Sequence, residues 1–169
     1  MATRIIKEDL TIERLRELLD YDAETGEFTW RVSCQGTKAG DRAGADGSEG
    51  RRHIVIGYAR LKAHRLAWFY VYGAWPKALV DHINGNPADN RIANLREATM
   101  GENLQNQRRA HKHNRTGVLG VQWRPARNKF RARIVVDRNE IHLGHFDTIE
   151  DAQNAYLEAK QKLHKFAPK

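Results

Sequence analysis

The chain has 169 residues, of which 40% are hydrophobic and 30% are charged, and its formal net charge is +8 with a sequence pI of about 9.8. This length suits one ordinary domain or two small ones, and four Trp, five Tyr and five Phe supply core material that a disordered chain lacks. The positive charge favours a polyanionic partner. The lack of a signal-peptide pattern and of about 18 consecutive apolar residues predicts a cytoplasmic protein without a membrane partner.

Local patterns predict two helices and a small sheet before residue 80. Thr11 is an N-cap residue type, and Ile12, Leu15 and Leu18 fall on one face of a helix that should end near Asp20. The elements that follow, in chain order, are a turn at 22–27, a strand at 28–32, a Gly-rich polar loop at 36–50, a strand at 53–58 and a largely buried helix at 64–72.

The next segment has the pattern of two short strands followed by a helix. The strands are predicted at 80–83 and 94–98, and a turn-rich loop at 84–90 joins them. Thr99 and Glu102 then match a capping box, which predicts that a helix starts there. Asn103 falls in the first turns of this helix, on the side that faces back toward the strands. The order is therefore ββα.

The side chains of this segment suit hydrolysis assisted by a metal ion. Neighbouring strand residues point to opposite faces, so Asp81 and His82 can serve different partners. A neutral imidazole with an ordinary pKa of about 6.5 can take a proton from water, and carboxylate and amide oxygens bind hard cations. Phosphodiester hydrolysis needs such an activated water together with neutralised phosphoryl charge. Asn84, Asn86 and Asn90 are interpreted as turn residues.

The pattern His82…Asn94…Asn103, with Asp81 before the histidine, resembles the HNH (ββα-metal) endonucleases, most closely the small phage and homing-type members. The resemblance implies that Asp81 and Asn103 hold one divalent cation, by default Mg²⁺ with Mn²⁺ as a substitute. It implies that His82 is the general base and that Asn94 belongs to the catalytic motif by bracing the loop between the strands. Cys34 is the only cysteine, so HNH variants with a four-cysteine structural zinc cluster are excluded.

Three basic or titratable residues near this motif have open interpretations. His64 and Arg65 match a position that phage homing members often carry upstream of the site. They either approach the scissile phosphate or cap a buried helix. Arg96 either reaches a DNA phosphate or is an exposed cation without that role.

The last third of the chain is predicted to be a separate module behind a basic linker. Residues 107–117 lack apolar periodicity, and no acidic residue lies between Glu102 and Asp137. Strands are predicted at 118–124, 129–136 and 140–146, followed by a helix that Thr148 caps. On the third strand, Ile141 and Leu143 should pack inward, with Glu140 and His142 outward.

The segments 120–125, 129–134 and 141–148, the last with the pattern Leu-Gly-x-Phe-Asp-Thr, resemble the AP2 (ethylene-response-factor-like) DNA-binding domain. In that family a three-stranded antiparallel sheet lies in the major groove and a helix supports it from behind. By this resemblance the DNA-contacting residues are Gln122, Arg124, Arg131, Arg133 and His142. The alternative is a solvated sheet face without a ligand.

These patterns predict an α+β chain with an HNH nuclease domain at 1–106, a basic linker at 107–117 and an AP2-like domain at 118–169, a three-stranded antiparallel sheet packed on one helix. The predicted activity is metal-dependent hydrolysis of phosphodiester bonds in double-stranded DNA, of the homing type, in the bacterial host cell of a phage. A monomer should nick, and a double-strand break would need a homodimer or two events. The alternatives are a non-catalytic DNA-binding regulator with a decayed nuclease fold and a nuclease directed at RNA.

Overall fold

The computed structural model describes residues 9–33, 36–47, 50–108, 110 and 113–165. Cys34 and part of the predicted linker lie outside these residues. Contacts within the chain divide it into two compact units, Met1–Ala98 and Thr99–Lys169. Helices and small antiparallel sheets make up both units, so the predicted α+β class is confirmed. No helix in the described ranges has the length and apolar character that crossing a bilayer requires.

The first unit begins with a short helix that leads directly into a β-hairpin. Helix α1 (Ile12–Leu18) starts at the predicted N-cap Thr11, whose hydroxyl accepts the backbone N–H of Arg14 at 3.2 Å. Leu19 already has extended backbone angles, so the helix ends two residues before the predicted position. Strand β1 (Leu19–Tyr21) then pairs antiparallel with β2 (Phe28–Trp30).

A three-stranded sheet and a second helix complete the core of this unit. The strands β3 (Ala45–Asp46), β4 (Arg52–Ile56) and β5 (Ala59–Lys62) are antiparallel in that order. Helix α2 (Ala63–Tyr72) follows β5 without a loop and ends where Gly73 adopts a left-handed φ of 70°. The largest fully buried side chains of this core are Leu15, Leu19, Phe28, Ile54 and Leu66.

The two strands predicted around the Asp-His pair are present and paired. Strand β6 (Leu79–His82) lies antiparallel to β7 (Leu95–Ala98), in a register that places Asp81 opposite Arg96 and His82 opposite Leu95. A 3₁₀ turn at Ile92–Asn94 leads into β7. Both candidate catalytic side chains thus lie at the end of β6, where the connecting loop begins.

The second unit contains a short capped helix, a three-stranded sheet and a long helix. Helix α3 (Met100–Gln105) has the predicted capping box, with Glu102 N–H donating to Thr99 Oγ1 at 3.2 Å and Thr99 N–H to Glu102 Oε2 at 2.7 Å. Strands β8 (Val121–Arg124), β9 (Lys129–Val136) and β10 (Asn139–Phe146) are antiparallel, with β9 in the centre. Helix α4 (Ile149–Leu163) contributes Ala152 to the core of this unit.

Several described residues of the predicted linker are hydrogen-bonded within the second unit. The Asn114 amide donates to Val118 O at 2.7 Å, and the Thr116 hydroxyl donates to Val121 O at 2.9 Å. The buried Lys160 ammonium donates to the carbonyl oxygen of Gln107. The contacts therefore group these residues with the second unit, and the domain boundary at 107–117 stays a prediction from the sequence.

Strand β10 departs from the strict alternation that the sequence predicts. Its register with β9 shifts between His142 and Gly144, which marks a β-bulge. A bulge adds one residue, so the side chains beyond it change faces. His142 and His145, which lie on either side of the bulge, therefore share one face, and their ring centroids are 4.7 Å apart. The inward packing predicted for Ile141 is wrong. Its side chain is 38% exposed, because the apolar core extends along β10 to Leu143 and Phe146 and does not reach the start of the strand.

Candidate active site

Asp81 and His82 are both buried, although they point to opposite faces of β6. They are 7% and 5% exposed. Asp81 faces its cross-strand partner Arg96, whose Nε and Nη2 donate to Asp81 Oδ2 at 3.1 and 2.9 Å. The His82 ring lies edge-on to the ring of His64 on α2, with 5.1 Å between the ring centroids. The carboxylate and the imidazole therefore have separate surroundings, as the alternation of strand side chains requires.

Asn94 fixes the loop that follows His82. Its Oδ1 accepts the backbone N–H of Asn84 at 2.9 Å, and its Nδ2 donates to Asp89 O at 2.8 Å. Asn84 and Asn86 accept backbone N–H groups two residues further on, at 2.9 and 3.1 Å, which confirms their interpretation as turn residues. The loop thus has a defined shape that starts at the predicted base.

Asn90 does more than the turn role that the sequence indicates. It is 3% exposed, and its Oδ1 lies 3.1 Å from His82 Nε2. Its Nδ2 points to Ala88 O at 3.5 Å, which is consistent with Oδ1 being the atom that faces the imidazole. Because Oδ1 can only accept, this contact is a hydrogen bond when His82 Nε2 carries the proton, which assigns Nδ1 as the basic nitrogen of the neutral ring. Asn90 therefore selects the tautomer of His82.

Both imidazoles of the site are held in the neutral form at pH 7. Burial, with smaller contributions from His82 and the neighbouring cations Arg51, Lys62 and Arg65, lowers the pKa of His64 to about 3. Burial also lowers the pKa of His82, while the hydrogen bond that the ring donates to Asn90 opposes that shift. A neutral His82 can accept a proton from water.

We expect acidification to destabilise the protein through these histidines. Below about pH 6.5 an unfolded imidazole binds a proton that the folded His64 does not bind, so the free energy of unfolding falls by up to about 1.4 kcal/mol per pH unit for each such group. Urea unfolding at pH 7 and pH 5.5 measures this loss. His64→Phe should show a smaller loss than wild type, while the exposed control variant His113→Phe should match wild type. Equal losses in all three proteins would contradict the buried neutral state of His64.

The N-terminal hairpin supports Asn90 from the far side. The Tyr21 hydroxyl donates to the carbonyl oxygen of Asn90 at 2.8 Å, and burial raises the pKa of Tyr21 to about 12, so the phenol keeps its proton. Gly26 packs so closely that a Cβ there would lie 2.4 Å from the backbone nitrogen of Arg91. Its φ of 75° also favours glycine. Residues from the start of the chain thus hold the loop that carries Asn90.

Tyr21→Phe removes this hydroxyl and keeps the ring, which packs against Phe28 and Tyr70. We expect the free energy of unfolding to fall by about 0.5–1.5 kcal/mol, because one partly buried hydrogen bond is lost. Tyr58→Phe is the matched control. Because Tyr58 is 73% exposed, this substitution should leave the free energy of unfolding unchanged. Urea unfolding curves give both values. A Tyr21→Phe curve that coincides with wild type would contradict the supporting role of this bond.

A family model described as HNH endonuclease matches residues 61–105. This span, which we term the HNH segment, contains α2, β6, the Asn-rich loop, β7 and α3. It covers less than half of the chain, and within it the predicted HNH resemblance is supported. Protein 3.8 of Escherichia phage T7 is 29% identical over 108 residues, which are 63% of this chain and 88% of that protein. No solved structure gives a significant match.

The two arginines of the HNH segment that were predicted as DNA contacts, Arg65 and Arg96, have protein partners. Arg65 donates to the carbonyl oxygens of Ala78 at 3.1 Å and Pro76 at 3.2 Å, so it ties α2 to the chain entering β6. Arg96 neutralises Asp81. His64 lies behind His82 and is 4% exposed. These contacts favour the structural interpretation of all three residues, and their contacts with DNA stay predictions.

The donor chemistry at Asp81 fits a hard cation. Its carboxylate is an oxygen donor, it is buried on the other face of β6 from the candidate base, and Arg96 fixes its orientation. Among the residues that the structure describes, no group of three or more His, Cys, Asp or Glu side chains is arranged for a metal ion. The predicted ligand pair contains only one residue of those types. Asn103 lies on α3 in the second unit, so its pairing with Asp81 stays a prediction.

In the second unit a shallow surface pocket collects basic and imidazole side chains. Three of its lining residues, Arg124, Arg131 and His142, were predicted as DNA contacts, and the structure adds Arg127 and His145. His145 was missed because strict alternation places it on the opposite face from His142, and only the bulge brings them together. Gln122 lies beside Arg131 across the β8–β9 pair.

Glu140 modifies the charge of this sheet. Its two carboxylate oxygens are bound by Arg131 and Arg133, and these cations hold the pKa of Glu140 below its usual range. The sequence predicted only that Glu140 points outward on this strand. In the structure it neutralises part of the positive charge of two predicted DNA contacts.

Proposed function

We propose that the chain is a metal-dependent endonuclease that hydrolyses phosphodiester bonds of double-stranded DNA at the HNH segment. The observation that carries this proposal is the buried His82, whose tautomer Asn90 selects, next to the buried carboxylate of Asp81. The match of the HNH endonuclease model to residues 61–105 supports the same assignment.

His82 acts as the general base in this proposal. Its Nδ1 takes a proton from a water molecule while the water oxygen bonds to phosphorus and the bond from phosphorus to the leaving oxygen breaks. The products are a phosphate monoester and a hydroxyl group, and the leaving oxygen takes its proton from solvent. The Asn90 amide keeps Nε2–H engaged, so the ring presents the same nitrogen at each turnover.

Asp81 and Asn103 are the residues proposed to hold one divalent cation, Mg²⁺ by default and Mn²⁺ as a substitute. A bound cation would neutralise phosphoryl charge and stabilise the leaving oxygen. The role of Arg96 is to keep the Asp81 carboxylate oriented and compensated in the protein interior. A site with a single carboxylate holds Mg²⁺ weakly by itself, so DNA oxygens would contribute to affinity.

The second unit is proposed to hold the DNA. The basic face with Arg124, Arg131, Arg133, Gln122 and His142 supports this role, in the manner of an AP2-like sheet. Homing-type site selection, with a nick by a monomer or a double-strand break by a homodimer, is part of the same proposal.

The proposal is tested with labelled duplex DNA and a duplex RNA of the same sequence, each incubated with Mg²⁺, with Mn²⁺ or with EDTA. Shorter products from DNA only in the metal lanes support it. Shifted but uncut DNA in all lanes would overturn it in favour of a second candidate, a non-catalytic DNA-binding regulator with a decayed nuclease fold. One observation favours that candidate, because the Arg96 guanidinium occupies Oδ2 of the only predicted carboxylate ligand.

A further inference from the structure

A second acid-free stretch lies inside the first unit. Residues 50–80 contain no Asp or Glu but six Lys or Arg residues. The run between Glu102 and Asp137 has the same character. Such a stretch predicts a surface that attracts an anionic partner wherever the fold exposes its cations.

The β4–β5 hairpin exposes two of these cations on one face. Ile54, Ile56 and Leu61 point into the core and are at most 6% exposed. The intervening side chains point outward, and the strand register places Val55 opposite Arg60 and His53 opposite Lys62. Arg60 and Lys62 are exposed, and Val55 is 50% exposed. We term Val55, Arg60 and Lys62 the hairpin row.

Two other cations of the same stretch, Arg52 and Arg65, have structural partners, which separates them from the hairpin row. Arg52 is bound to Asp46 at 3.0 Å and donates to the carbonyl oxygens of Ala43 and Gly44. Arg65 is bound to two carbonyl oxygens. Tyr58, at the turn of the hairpin, is 73% exposed, so the row ends at a large aromatic side chain.

The other end of the hairpin row leads to the candidate active site. Lys62 is the residue immediately before α2, and His64, whose ring lies 5.1 Å from that of His82, is two residues further on. The charge of Lys62 contributes to lowering the pKa of His64, and the charge of Arg51 acts on both imidazoles. Lys62, at the end of the hairpin row, and Arg51, which precedes β4, are therefore within electrostatic range of the site.

We propose that the hairpin row binds backbone phosphates of double-stranded DNA on the approach to His82. This inference rests on the proposed function for the identity of the ligand, and it adds a DNA surface in the first unit. Charge complementarity supports it, since two exposed cations about 6.8 Å apart on one strand face meet a polyanion that carries one charge per about 1.7 Å of duplex. The contact has no sequence preference, because it reads phosphate.

The test compares Arg60→Ala/Lys62→Ala with a control of equal charge loss, Arg14→Ala/Arg31→Ala. The control arginines are exposed and ion-paired with Glu17 and Asp20 in the same unit. All proteins carry His82→Ala and are measured in EDTA, so binding is read without cleavage. Affinity for a fluorescent 30-base-pair duplex is measured between 50 and 200 mM salt, and circular dichroism checks that each variant is folded.

The hairpin-row variant should reduce the slope of log affinity against log salt by about 1.8, which is twice the contribution of one phosphate contact. The ratio of the wild-type affinity to the variant affinity should therefore fall about tenfold between the lowest and the highest salt concentration. The control should keep the wild-type slope. Equal slopes for the two variants would overturn the inference and leave the proposed nuclease function intact. Conversely, absence of metal-dependent cleavage would refute the function while the binding slopes still decide the surface. Tighter binding to an RNA duplex than to DNA would also overturn the inference.

Discussion

His82→Ala should lower the single-turnover rate of DNA cleavage by about 10²- to 10⁴-fold, the usual contribution of a general base. The reason is that the neutral imidazole, with its Nε2 proton engaged by Asn90, supplies the basic nitrogen for the attacking water. DNA affinity should change little, since the 5% exposed ring offers almost no surface to a ligand in the ground state. Single-turnover assays on a linear duplex in Mg²⁺ measure the rate, and fluorescence anisotropy measures affinity.

The control for this prediction is His113→Ala, which removes an exposed imidazole from the second unit. It should cleave at the wild-type rate. If His82→Ala cleaves as fast as His113→Ala, His82 is not the base. If His82→Ala instead loses DNA affinity in proportion to its cleavage rate, the role of His82 is in binding or folding rather than in proton transfer.

Asn90→Ala should lower kcat by about 10- to 100-fold, the typical cost of removing the partner that orients a functional histidine. The substitution leaves the Nε2–H of a buried ring without its acceptor, which should also lower the free energy of unfolding by about 1–3 kcal/mol. KM should stay near the wild-type value, because the 3% exposed amide faces the histidine and the protein interior.

Two further variants separate orientation from general damage to the loop. Asn90→Asp keeps an acceptor oxygen for Nε2–H and should recover most of kcat. Asn86→Ala removes an exposed side chain that accepts the Ala88 backbone N–H and does not contact His82, and it should be nearly neutral. The imidazole ¹⁵N shifts of His82 should report the Nε2–H tautomer in wild type and in Asn90→Asp, and a mixture in Asn90→Ala. An unchanged tautomer in Asn90→Ala would contradict the orienting role.

The parts of the site that could be predicted from the sequence are those that local signals determine. The capping box of Thr99 and Glu102 marks the start of α3 within the sequence itself, and the apolar residues around Asp81 identify β6. The pairing of β6 with β7 is then favoured because the two strands are consecutive in the chain. These features need no information about distant residues.

The contacts that the sequence did not reveal depend on residues far apart in the chain. Asn90 has the composition of a turn residue, and its contact with His82 requires the loop closure that Asn94 provides and the support of Tyr21, 69 residues away. Asp81 was expected to serve a metal, and its ion pair with Arg96 depends on the strand register. The grouping of His142 with His145 depends on a bulge at Gly144, which simple alternation cannot predict.

The most direct measurement of the central claim is relaxation of supercoiled plasmid DNA by wild type and His82→Ala, purified in parallel, each with Mg²⁺ and with Mg²⁺ plus excess EDTA. We predict that nicked circles accumulate only with wild type in Mg²⁺. All other reactions should retain supercoiled DNA, and both proteins should bind the plasmid equally. Nicking by His82→Ala at the wild-type rate, or nicking by wild type that persists in EDTA, would contradict a metal-dependent nuclease based on His82.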